Sequence, residues 1–151
     1  MPWPGNRVFF DTSVYVAALL SDEGAAGELI RLAEDNAIRM VVSEEVIVEI
    51  DRVLSKKFPD RIQRSRELLK RLSPEIASTP TTAQIKPFLH KLDDGDAAIL
   101  CSAYLARVSA FVTWNTRDFM ARGVDSLVDF PIVVPADALK LFRKWIEPFL
   151  D

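Results

Sequence analysis

The chain has 151 residues, 49% of them hydrophobic and 27% charged. That size and balance suit one compact domain over residues 1–151 with a sizeable core. No apolar run reaches the ~18 residues of a membrane span, the opening Met-Pro-Trp-Pro-Gly-Asn-Arg lacks the apolar core of a secretory signal, and the lone Cys101 excludes an internal disulfide, so a cytoplasmic protein is expected. The net charge of −3 and the single His90 argue against a generally nucleic-acid-coating protein and exclude a multi-histidine metal site.

Residues 7–11 read as a buried strand, and 12–20, apolar after a Thr-Ser start, as a helix broken at Ser21-Asp22-Glu23-Gly24. Residues 25–35 show helical spacing through Ala26, Leu29, Ile30 and Ala33, and 38–42 read as a second strand. Ser43 is a predicted cap for a helix with Glu44 and Glu45 in its positive first turn, ending near Lys57. A helix over 60–72 follows, then an irregular connection over 73–87 with room for a short strand at 75–79. Residues 95–107 form a helix that is apolar nearly all round, as a helix packed on several sides is. Strands at 109–113 and 131–134 and a helix from Pro135 to about Trp145 complete the order. The alternation predicts an α/β fold, three layers α/β/α around a mostly parallel central sheet.

Carboxylates recur beside the most apolar segments: Asp11 after the first strand, Glu49 and Asp51 on the helix after the second, Asp93, Asp94 and Asp96 at the start of the buried helix, and Asp118 after the strand ending at Thr113. Sites on open parallel sheets form outside the carboxyl ends of the strands, where Asp11, Asn115 and Asp118 fall. Taken singly, Asp94 and Asp96 also read as cap and dipole-complementing residues. Glu49 and Asp51 flank opposite borders of one apolar helix face, and periodicity alone does not choose between them. A hard divalent cation accounts for such a group of acids, because it selects carboxylate oxygens. A basic stretch, with Arg52, Lys56, Lys57, Arg61, Arg64, Arg66, Lys70 and Arg71 against Asp60 and Glu67, reads equally as a phosphate-binding surface or as a solvated helix face. Cys101 is expected to pack in the core.

These segments resemble the PIN domain, a family of metal-dependent ribonucleases that includes the toxins of VapBC-type toxin–antitoxin pairs. Asp11-Thr12-Ser13 is similar to the family's first acidic motif; Ser43 followed by Glu49-Ile50 and Val53-Leu54 to the second; Asp96-Ala97-Ala98-Ile99-Leu100 to the third; and Thr113-x-Asn115-x-x-Asp118-Phe119 to a variant of the fourth. The resemblance covers residue 7 to about 134. It selects Glu49 over Asp51 and Asp96 over Asp93 and Asp94, with Asp93 in a supporting place. Many relatives carry Asp where Asn115 stands, so the fourth acid is assigned to Asp118.

The resemblance implies RNA phosphodiester hydrolysis, with Asp11, Glu49, Asp96 and Asp118 as catalytic, metal-holding carboxylates. Mg2+ or Mn2+ suits an all-oxygen site. Thr12, Ser13, Thr113 and Asn115 would orient ligands or water, with turn and cap chemistry as their plainer reading. Arg52, Lys56 and Lys57 are candidate RNA contacts. The implied partners are RNA, a small antitoxin and a second copy of the chain, the last supported by apolar Trp145, Ile146, Phe149 and Leu150. A dehalogenase-type phosphatase would want an acid where Ser13 stands, and a nucleotide binder a Gly-rich turn after the first strand. The rival reading is a non-catalytic RNA- or protein-binding module on the same scaffold.

Overall fold

Val8, Phe9 and Phe10 are each at most 2% exposed, so the first strand is buried on both faces, as a central strand of a parallel sheet must be. The computed structural model describes residues 6–150. Strand β1 (Arg7–Phe10) leads into helices α1 (Thr12–Leu20) and α2 (Ala25–Glu34), then β2 (Arg39–Ser43) and α3 (Glu44–Lys57). A 3-10 turn at Pro59–Arg61 precedes α4 (Ile62–Leu72) and β3 (Glu75–Ala77). Next come α5 (Thr82–Ile85), a 3-10 helix at Lys86–His90, α6 (Asp94–Ala106), β4 (Ala110–Val112) and α7 (Thr116–Phe119). A 3-10 turn at Asp125–Leu127, β5 (Ile132–Val133), α8 (Pro135–Ile146) and a 3-10 turn at Glu147–Phe149 follow.

The sheet has the order β3-β2-β1-β4-β5, and every pairing is parallel. In register, Phe9 lies between Val41 and Phe111, and the Phe9 and Phe111 rings stack 5.2 Å apart. The chain steps from β1 outward through β2 to β3, then returns past β1 to β4. Right-handed crossovers therefore set α1–α4 and α6 on opposite faces, giving the predicted three-layer α/β/α arrangement. At that reversal the connections leaving β1 and β4 run to opposite faces of the sheet, the place where parallel sheets build sites, and Asp11 stands there at the end of β1.

Local chemistry fixes the elements. Ser43 Oγ accepts the Val46 N–H at 3.2 Å and starts α3 directly at the end of β2, with Glu44 and Glu45 in its first turn and Lys56 and Lys57 in its last. Phe119 on α7 packs on Phe111 with ring centres 4.9 Å apart, so the segment after β4 is anchored to the core. The buried Tyr15 hydroxyl donates to the Ser65 carbonyl at 3.0 Å and ties α1 to α4. The connection over 73–87 holds the short strand β3 inside the expected 75–79 and, where irregular chain was expected, helix: a capping box between Thr81 and Gln84 opens α5, and Pro87 fits the first turn of the 3-10 helix behind it. Helix α7 is a further addition. Among the described residues no helix is long and apolar enough to cross a membrane.

Gly27 marks the closest approach in this framework. A Cβ there would sit 2.4 Å from the Asp22 carbonyl oxygen, a backbone atom. Gly27→Ala is therefore expected to destabilise by about 1–3 kcal/mol, lowering the melting temperature by roughly 3–10 °C. Gly95→Ala, whose Cβ would meet nothing within 4 Å, is expected to be neutral or stabilising because alanine favours helix. Equal melts for the two variants would contradict the packing described for α2.

Candidate functional site

Asp11 continues β1 by one hydrogen bond, its N–H to the Val112 carbonyl at 3.0 Å, and then turns into α1. Its side chain is 4% exposed. Oδ2 accepts the Thr113 hydroxyl at 2.7 Å and the Ser13 hydroxyl at 3.0 Å. Burial pushes the Asp11 carboxyl above its ordinary pKa, and these hydrogen bonds only partly offset it.

The same network runs on to Asp118. Thr113 Oγ1 accepts the Asn115 N–H at 2.9 Å. Asn115 caps α7: its Oδ1 accepts the Asp118 N–H at 3.2 Å, and its Nδ2 donates to Asp118 Oδ2 at 3.0 Å. An aspartate at 115 could not make that second bond, because an ionised carboxylate has no proton to donate. The asparagine therefore clamps Asp118, and both ends of its amide are used.

Asp96 lies in the first turn of α6, half-buried. Its pKa is raised to about 7 by burial, then by the charges of Asp93, Asp118 and Asp11, with the nearby Asp118 carboxyl adding to the rise. Glu49 is half-buried on α3. Burial raises its pKa, the Thr12 hydroxyl lowers it, Asp11 and Glu45 raise it further, and Arg52 lowers it. The four predicted acids are thus linked through one electrostatic chain, Glu49 to Asp11 to Asp96 to Asp118.

Asp51, the alternative that periodicity left open, pairs with Arg66 at 3.6 Å. Asp93, rather than Asp94, caps α6 by accepting the Asp96 N–H at 3.0 Å; the helix begins at Asp94, so the cap falls one residue earlier. Both stay exposed and join Glu49 and Asp96 in lining a cleft of about 660 Å3. The rest of the basic stretch divides. Arg66 and Arg71 are in ion pairs, the latter with Glu34 at 3.6 Å, and Arg61 donates to the Leu19 carbonyl at 3.4 Å. Arg52, Lys56 and Lys57 are exposed on α3 and have no ion pair among the described residues. Arg52 and Lys56 follow Glu49 at helical spacing, on its side of the helix.

Among the described residues no Lys or Arg forms an ion pair with Asp11, Glu49, Asp96 or Asp118. No three His, Cys, Asp or Glu side chains among the described residues stand as a group that encloses an ion. The buried Thr12 Oγ1 faces the Glu49 carboxyl, whose pKa it lowers, and makes no hydrogen bond of normal geometry among the described residues. Four acids without an ion-paired cation, with hydroxyls beside them, form a hard, all-oxygen donor set, and that set fits a divalent cation of the magnesium or manganese type.

Asn115, expected to orient ligands or water or else to act as a cap, does the second and bonds the Asp118 carboxylate as well; the sequence does not show which acid its amide nitrogen meets. The C-terminal apolar residues are partly used within the chain, since Trp145 packs against the core, while Leu150 stays 65% exposed.

The PIN domain family model matches residues 7–117. No curated protein matches the chain by sequence. Among solved structures, a chain in the crystal structure of VapBC2 from Rickettsia felis, bound to a DNA fragment from their promoter, superposes with a TM-score of 0.64. The match covers 85% of this chain and 98% of that one at 17% sequence identity, a likeness of fold.

Proposed function

The chain belongs to the PIN domain family, and we propose that it is a metal-dependent endoribonuclease that hydrolyses RNA phosphodiester bonds, acting as the toxin of a toxin–antitoxin pair. The observation that supports this reading is the hydrogen-bonded run Asp11–Thr113–Asn115–Asp118, with Glu49 and Asp96 near enough for these charges to raise their pKa values and no ion pair to any of the four acids among the described residues. These four would hold Mg2+ or Mn2+. Bound there, the ion would make water acidic enough to attack phosphorus near neutral pH and would offset charge on the phosphoryl oxygens.

The chain's own contribution is to fix the donors in advance. Thr113 and Ser13 fix the rotamer of Asp11 from two sides, and Asn115 does the same for Asp118. Such supporting bonds orient ligands and tune their basicity. Cleavage of an end-labelled RNA in Mn2+ or Mg2+, with internal products that vanish in chelator, is the expected result. Intact RNA under every metal condition would remove the enzymatic reading. The alternative, a non-catalytic module that binds RNA or protein, draws support from the lack, among the described residues, of three acids grouped to enclose an ion. It predicts no stabilisation by either metal.

Arg52, Lys56 and Lys57 supply the positive charge for the RNA backbone on this reading. Changing both lysines to alanine should weaken binding to all RNA sequences alike and reduce the slope of log K against log salt by about 1.4, two contacts on a single strand. An unchanged slope would leave α3 a solvated face. The protein partners on this reading are a small antitoxin and a second copy of the chain. The first is tested by co-purification with the product of an adjacent short reading frame, the second by light scattering at tens of micromolar.

A further inference from the structure

Two aromatic side chains are more than a third exposed among the described residues, and they sit in different surroundings. Tyr104 lies at the end of α6 remote from Asp96 and meets Phe88 edge-on with ring centres 5.9 Å apart. Trp114 is 48% exposed, and its indole has no ring contact or hydrogen bond among the described residues. It is the single residue between Thr113, which bonds Asp11, and Asn115, which clamps Asp118. Its own N–H donates to Ser13 Oγ at 2.9 Å, and Thr113 N–H donates to the Val133 carbonyl at 3.0 Å. The backbone on either side is held, so the ring cannot be drawn into the core by a local shift. An isolated exposed apolar side chain is ordinary on a protein surface. What distinguishes this one is its place within the hydrogen-bond network of the acids.

We infer that Trp114 is a stacking platform for an unpaired nucleobase next to the phosphodiester held at the acids. The inference deepens the ribonuclease reading and rests on it. Bare carboxylates repel phosphate, and a cation held among them attracts only the backbone, so a base beside the scissile phosphate has no partner in the charged groups. An indole face provides one that tolerates every base, because every base has a π-face. A base inside a duplex is already covered on both sides by its neighbours, whereas an unpaired base can splay onto the indole. Arg117, exposed on the same short segment, adds a cation for a flanking phosphate.

The test is binding, measured by fluorescence anisotropy in an Asp96→Asn background that cleaves nothing. The probes are a labelled single-stranded RNA, the same RNA as a duplex, and a series with one abasic position moved along the strand. Trp114→Ala should weaken single-strand binding by about 5- to 150-fold and leave duplex binding unchanged, while Trp114→Phe retains most of the affinity. In the parent, one or two abasic positions should cost affinity, and in Trp114→Ala those positions should cost nothing further. Equal loss on single strand and duplex, an abasic profile that survives the alanine change, or no loss at all would each overturn the inference. Trp114-dependent binding without metal-dependent cleavage by the unsubstituted chain would sink the nuclease reading and keep the platform. Cleavage with a neutral Trp114→Ala would do the reverse, and no RNA binding by the unsubstituted chain, with or without Mn2+, would overturn both.

Discussion

Asp11→Asn is expected to lower the rate of RNA hydrolysis by at least about two orders of magnitude, because supporting residues of a metal site alone carry roughly 10–100-fold and Asp11 is proposed to touch the ion itself. The folded chain should be as stable as before, or more so. Burial is the largest influence on this carboxyl and acts against its charge. An asparagine oxygen can still accept from Thr113 and Ser13, and the neutral amide carries no charge to be desolvated. Melting curves in chelator check the second half. A fall of several degrees would mean that Asp11 is chiefly a structural hydrogen-bond acceptor, and its loss of activity would then carry no information about metal.

Asp96 gives the second large effect, on the pH dependence of stability. Its pKa in the folded chain is raised to about 7 from an ordinary 3.8. Between those values the folded chain binds a proton that the unfolded chain does not, so stability falls as pH rises through this window. The stabilisation is complete below about pH 4 and lost above about pH 7. Solvent screening at a half-exposed group reduces it to on the order of 1–2 kcal/mol. Asp11 and Glu49, also raised, act in the same direction. In chelator, Asp96→Asn should therefore gain stability over the parent at pH 8 and little at pH 4, which cancels the titration of every other group common to both chains. A difference that does not change with pH would show that Asp96 is free of its neighbours' charge.

The sheet was legible in the sequence because buried parallel strands are continuous apolar runs. Val8-Phe9-Phe10, Met40-Val41-Val42 and Phe111-Val112 could be placed to within a residue or two. Pro74, Pro80 and Pro87 make the 73–87 connection look irregular beyond its short strand. The pairing of Thr81 with Gln84 was the signal that outweighed them. Helix α7 escaped because four residues show no periodicity. The strand order and the face of each helix were not legible locally. They decide that Glu49 turns toward Asp11 while Asp51 meets Arg66 on α4, and both depend on contacts between segments far apart in sequence. The supporting place of Asn115 is legible from its spacing to Asp118, but the bond from its amide nitrogen to that carboxylate is not. Nothing in the sequence marks Trp114 as exposed, since an indole between two strand-end residues reads more readily as core.

The central claim is that the four acids form one cation site, and metal-linked stability measures it most directly. Thermal melts of the chain with Mn2+ or Mg2+ from zero to ~10 mM should show a melting temperature that climbs with metal and saturates, as binding to the folded state alone requires. The climb should be lost or sharply reduced in Asp11→Asn and Asp96→Asn but kept in the Lys56→Ala/Lys57→Ala double variant. A melting temperature indifferent to metal, or one that climbs equally in the two amide variants, would contradict the account.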